Sequence, residues 1–174
     1  MQRVFINEDN LKKEDLDYEV IRVKGLIVNS KNQILLARNN NTYQFVGGHV
    51  EDNEDMEEGL IREIKEETGI DVIDVNGPFM LVEAYYKDYF CSSKNVHSKV
   101  YYYRIFCDDM PNLEETNYDI LERQTDFEIF YIPIKRFKAF LEDGLENGLI
   151  DASIYTEMMF AIEEYNRLFG GVYY

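Results

Sequence analysis

The sequence predicts an α/β protein, a mixed β-sheet held between helices, in one domain over residues 1–174. Three observations predict it. Runs rich in β-branched and aromatic residues recur along the chain with polar turns between them, as paired strands require. A segment near the middle carries helical periodicity with clear ends, and a second one closes the chain. At 174 residues and 20.7 kDa, one core that buries about 70% of the unfolded surface suffices.

In order, "YEVIRVKGLIVN" and "QILLAR" read as strands separated by the turn-like "SKN", and "TYQFV" leads into Gly47 and Gly48. After the central helix, "DVIDV", "FMLVEAYYKDYF" and "VYYYRIFC" read as further strands, the last two joined at the polar turn "SSKN". A polar, acidic loop from Asp108 to about Asp126 precedes the strand "FEIFYIPI" and a short helix "KRFKAFLEDG". The last helix, about 152–169, places Ile154, Met158, Ala161, Tyr165 and Leu168 at helical spacing and ends at Gly170 and Gly171.

The central helix is expected over about 53–68, capped by Asn53 or Asp52 and closed by Gly69. Met56, Leu60 and Ile64, with Ile61 beside them, form one apolar stripe that should face a core. Glu63, Glu66 and Glu67 project within one narrow sector, and Gly59, one turn earlier, leaves space beside them. Such crowding of like charge destabilises a helix. It is either a solvated acidic face or a site for hard divalent cations, which take oxygen ligands.

Spacing separates the two readings. Gly48, Glu54, Arg62, Glu63, Ile64, Glu66, Glu67, Gly69 and Ile70 fill every fixed position of G-x5-E-x7-R-E-U-x-E-E-x-G-U, with U aliphatic. A chance match is on the order of one in a billion per start point, and acidic composition raises that only about tenfold. The chain therefore resembles the Nudix hydrolases, which cleave a nucleoside diphosphate linked to another group using Mg²⁺ or Mn²⁺. The resemblance implies a Nudix-type α/β/α sandwich and covers most of residues 18–143. Glu51 also stands where the family often has Glu. The frequent Pro-Gly-Gly entry reads Val46-Gly47-Gly48 here, which leaves that loop less constrained, and the usual Ala at 59 is Gly.

By that resemblance, Glu63, Glu66, Glu67 and the Gly47 carbonyl hold metal, and Arg62 orients a neighbouring carboxylate, a role compatible with an ion pair to Glu66 at i+4. Glu54 lies far round the helix and is read as a structural loop anchor, or at most as a residue that braces a metal ligand from outside. The general base is a box glutamate or one of Glu114, Glu115 and Glu122 in the later loop, and counting back from "FYIP" favours Glu122. Without metal, the three carboxylates should repel one another, so Glu67→Gln is expected to leave the chelated protein equally or more stable.

Tyrosines concentrate at Tyr85, Tyr86, Tyr89, Tyr101, Tyr102 and Tyr103, where they pack a sheet or stack on a nucleobase. Relatives acting on dinucleoside polyphosphates tend to carry Tyr about sixteen residues after the box, the position of Tyr86. The proline typical of the ADP-ribose subgroup is absent there. The expected partner is a small nucleoside diphosphate derivative; the sequence leaves a homodimer open. A rival is a non-catalytic module of the same fold, but all three box glutamates are present.

With 34 acidic against 18 basic residues, a net charge of −16 disfavours polymeric nucleic acid, whose phosphates need Lys and Arg clusters. No apolar run approaches 20 residues, and "MQRVFINEDNLKKEDL" turns polar too early for a signal peptide. Neither a membrane partner nor export is expected, and the cytoplasm is the default. Cys91 and Cys107 have no metal-binding spacing and read as free thiols; His49 and His97 read as surface or turn residues.

Overall fold

A computed structural model describes residues 1–39, 42–73, 75–88, 91, 93–118 and 126–170. Among these residues seven strands form one mixed sheet: β1 (Gln2–Ile6), β2 (Tyr18–Val28), β3 (Gln33–Asn39), β4 (Thr42–Gln44), β5 (Asn76–Lys87), β6 (Asn95–Phe106) and β7 (Glu128–Pro133). Their order is β1-β5-β6-β2-β3-β4, with β7 also paired to β3. β1 with β5 and β2 with β6 are parallel; the other pairs are antiparallel.

The period-2 alternation of β2 sends its side chains to two different cores. Val23 and Ile27 join Leu60 and Ile64 of α1 (Met56–Thr68) on one face. Leu26 and Val28 face the opposite way, among Phe137 and Leu141 of α2 (Phe137–Glu146) and Met158, Ala161 and Tyr165 of α3 (Ala152–Phe169). Helices therefore cover both faces, giving the expected α/β/α sandwich. The apolar stripe of α1 is buried as its spacing requires, and α3 spans the expected residues because Asp151 accepts from Ser153 N and Ile154 N at its start.

Four details differ from expectation. The central helix starts at Met56: Asp55 caps it in a reciprocal box with Glu58, and Asn53 sits at φ 67°, outside the extended backbone a cap needs. "DVIDV" forms no strand among its described residues; Ile73 is 96% exposed, and the ladder begins at Asn76. The N-terminus, polar on average, still supplies β1, because a short parallel pairing to β5 needs only five residues. Leu168 of the α3 stripe is exposed, while its neighbour Phe169 packs on Phe79 and Arg104 of the sheet.

Neither Cys91 nor Cys107 is disulfide-bonded. His49 is exposed as expected, whereas His97 lies within β6, between the carboxylates of Glu19 at 2.9 Å and Glu83 at 2.6 Å. Glu19 is its direct cross-strand partner and Glu83 lies diagonally across, so this histidine is held by side-chain contacts within the sheet. Among the described residues no helix is long and apolar enough to cross a membrane.

Candidate active site

Among the described residues β3 pairs with β2 only at Val28–Ile34 and then diverges to pair with β4 and β7, which leaves most of one β2 edge without a strand partner. Buried backbone groups need partners. The glycine loop supplies them: Gly25 N donates to Val46 O at 2.9 Å, Val23 N to Gly48 O at 3.0 Å, and Val50 N to Ile21 O at 3.1 Å. The loop is thus pinned to the sheet by backbone bonds, which replace the constraint of the missing proline. Gly47 is obligatory there, since at φ 124° a Cβ would meet Val23 O at 2.3 Å.

This pinned loop lies against the acidic face of α1. Glu67, 3% exposed, accepts from Gly47 N at 2.8 Å. Glu63 packs on Gly48 so closely that a Cβ there would stand 2.5 Å from its carboxyl carbon. Gly48→Ala should therefore displace the Glu63 carboxylate while the fold persists, because only the end of a flexible side chain must move. Turnover should fall about tenfold with a near-native melting curve, since small misplacements of site groups are costly in rate. A variant with the wild-type rate would remove Glu63 from the machinery.

Arg62 organises the rest. Its Nε and Nη2 grip Glu54 at 2.8 and 2.9 Å, Nη1 reaches Glu63 at 2.9 Å and Glu66 at 3.0 Å, and Nη2 also donates to His49 O at 3.0 Å. The expected i+4 ion pair with Glu66 is present, beside the bond to Glu63. Glu54 also accepts from Glu51 N at 2.9 Å and is the loop anchor its position suggested. The space at Gly59 is not empty, because a Cβ there would lie 2.8 Å from a Glu54 oxygen; this glycine makes room for the anchor.

These contacts set the electrostatics. Hydrogen bonds from Arg62 hold the Glu54 carboxyl below the usual range, whereas burial pushes Glu63 up despite the same guanidinium. The Arg62 pKa is raised by its carboxylate partners, Glu54 first. The three box glutamates have different partners: Glu63 and Glu66 share Arg62, and Glu67 accepts from the loop. The expectation that Glu67 merely adds repulsion is overturned, because its carboxylate is buried, bonded and close to a cation.

That cation is Lys24, which the sequence reading passed over. Its side chain shares a face of β2 with Leu26 and Val28, donating to Gln44 Oε1 at 3.3 Å and to the Gly47 carbonyl. Burial lowers the Lys24 pKa, and Glu67 works in the opposite direction. Beside Lys24 in the β2–β6 register stands Tyr102, whose hydroxyl donates to Glu157 of α3. The available signal was a lone lysine inside the apolar run "VKGLIV".

Tyr86 lies on β5 opposite Val96, part-buried, on the sheet face that carries Met80, Val82 and Tyr102. Tyr102 and Tyr103 are core, one in each layer, and Tyr85 packs edge-on against Phe5 and His97. Of the loop glutamates, Glu115 bonds to Lys65 at 2.6 Å and Glu114 is exposed; Glu122 and Tyr89 lie outside the described residues.

Among the described residues no three His, Cys, Asp or Glu side chains form a ready-made metal cluster. The donor chemistry still fits a hard divalent cation, because carboxylate and carbonyl oxygens surround the two glycines and the chain's own cations are bonded to them.

The structure is thus an α/β/α sandwich with an acidic helix docked against a glycine loop. A NUDIX domain model matches residues 19–143, and the chain belongs to that family. An ADP-ribose pyrophosphatase of Methanocaldococcus jannaschii is 37% identical over 70 residues, covering 34% of this chain and 41% of that protein. The chain thus spans about two fifths of the curated relative it matches. In fold it is similar to a MutT protein from Methanosarcina mazei Go1, with a TM-score of 0.58 and 19% identity over 88% of this chain and 98% of that one. It is likewise similar to a C. elegans Ap4A hydrolase, with a TM-score of 0.52 and 16% identity over 87% and 98%. At these identities the two likenesses concern the fold alone.

Proposed function

We propose that the protein hydrolyses the diphosphate linkage of a small nucleoside diphosphate derivative with Mg²⁺ or Mn²⁺, held by Glu63, Glu66, Glu67 and the Gly47 carbonyl. The observation that carries this reading is the buried Glu67 bonded to the loop glycine, with Glu63 and Glu66 set by one guanidinium. A bound divalent cation would supply charge neutralisation at the phosphates and a more acidic water. The chain's own part is positional. Gly47 N–H aims Glu67, and Arg62 fixes Glu63 and Glu66. In the reaction, water oxygen bonds to phosphorus as the bridging P–O bond breaks. The bridging electron pair leaves with the departing phosphate, and the water's proton passes to a glutamate, either in the box or at Glu122.

Two substrate classes have support. The partial relative in M. jannaschii favours ADP-ribose, and Tyr86 favours dinucleoside polyphosphates. A panel including both, with nucleotide sugars and nucleoside triphosphates, is separated by product chromatography. The expected products are a nucleoside monophosphate and a phosphorylated remainder, or pyrophosphate from a triphosphate. Release of phosphate from simple monoesters alone would contradict the proposal.

If Tyr86 stacks on a base, Tyr86→Ala should weaken substrate binding by about 1–3 kcal/mol, seen as a raised KM, with little change in melting. A large loss of stability at constant KM would make Tyr86 a packing residue and withdraw its support for dinucleotides.

A further inference from the structure

We propose that Lys24 is a built-in placeholder for the divalent cation: its ammonium holds the Gly47 carbonyl and balances Glu67 until metal enters, then withdraws toward Glu157 of α3. The inference rests on the metal reading above and adds residues to it, one of them from a helix beyond the matched residues 19–143.

Three observations support it. Lys24 Nζ donates to the carbonyl of the same glycine whose N–H holds Glu67, so one ammonium stands where a metal bound by that carbonyl would stand. A buried carboxylate without a cation nearby would be costly, and the charge of Lys24 offsets that cost. The route of withdrawal is already furnished. Gln44 Oε1 lies 3.3 Å from Nζ, and Tyr102, the β6 neighbour of Lys24, donates to Glu157, whose charge acts on Lys24. The Tyr102 hydroxyl, on a fully buried ring, thus has a half-buried carboxylate as its partner. Lysine suits the part, being a compact charge on a flexible stem.

An ammonium and a metal competing for one carbonyl predict specific affinities. Mn²⁺ binding to the full chain, without substrate, is followed by electron paramagnetic resonance of the free ion. Lys24→Met should bind about tenfold more tightly than wild type, because a unit charge a few ångströms away is worth at least that much even when well screened. Glu157→Gln should bind several-fold more weakly, because Lys24 loses the charge that receives it. The double variant should match Lys24→Met alone, since Glu157 acts only through Lys24. Melting curves accompany each variant; if Lys24→Met does not fold, Lys24→Gln takes its place, keeping a donor for Gly47 O without the charge.

Unchanged or weaker binding by the Lys24 variant overturns the proposal. So does a Glu157 effect that survives in the Lys24→Met background, because the carboxylate would then act on the cation directly. Wild-type Mn²⁺ binding that is insensitive to Glu67→Gln overturns the metal reading itself. Loss of binding in Glu67→Gln with an indifferent Lys24 variant overturns the placeholder alone.

Discussion

Glu67→Gln is expected to cut turnover by at least about a hundredfold and to destabilise the protein in chelator as well as in metal. The chelator result follows from burial. Glu67 is 3% exposed, accepts from Gly47 N, and feels Lys24. An amide keeps one acceptor for the glycine but leaves the ammonium without its counter-charge and places an extra N–H where no acceptor is arranged. Such an imbalance costs about 2 kcal/mol, or roughly 4–8 °C in Tm for a chain of this size. In Mg²⁺ or Mn²⁺ the gap should widen. Wild type gains about 2.7 kcal/mol at a hundredfold excess over Kd, and the variant gains less. Melts of both proteins in chelator and in metal, alongside rates, test this directly. A variant that is more stable than wild type in chelator would restore the simpler picture of carboxylates that only repel.

That reversal shows which parts of the site a sequence can display. The α1 stripe, the left-handed Gly69 and the extent of α3 are local properties, set by residues within a few turns of one another, and the structure repeats them. The helix start was harder, because an acidic run offers several caps and only the Asp55–Glu58 spacing satisfies both orphan N–H groups. The neutralisation of the carboxylates is non-local. Lys24 reaches Gly47 across 23 positions, and Tyr102 reaches Glu157 across 55. No periodicity encodes such contacts; they follow from β3 leaving β2 and from α3 folding back over the sheet. The pairing of β1 with β5 is of the same kind.

Arg62→Met is the second large effect, and its signature is a change in the shape of the stability profile with pH. The guanidinium, 26% exposed on its side chain, satisfies three carboxylates and a backbone carbonyl. Removing it leaves Glu63 and Glu66 as uncompensated like charges. Discounted for partial exposure, the loss at neutral pH should be about 3 kcal/mol, or roughly 6–12 °C in Tm. In wild type the Glu54 carboxyl is held below its ordinary range by Arg62, so its contribution is present above the unfolded value near 4.3 and lost as pH falls through the folded value. Without Arg62 that acid loss should shrink. Glu63 runs the other way: burial already raises it, and losing Arg62 removes the opposing influence. A raised carboxyl stabilises the fold while protonated and loses that stabilisation as pH rises through its folded value. The variant should therefore be most stable at mildly acidic pH, where Glu63 takes a proton, and lose ground toward pH 8. Melting temperatures in chelator from pH 4 to 8 would show converging wild-type and variant curves on the acid side. Parallel curves, separated by a constant offset, would mean that Arg62 contributes packing and backbone hydrogen bonding while the carboxylates titrate independently of it.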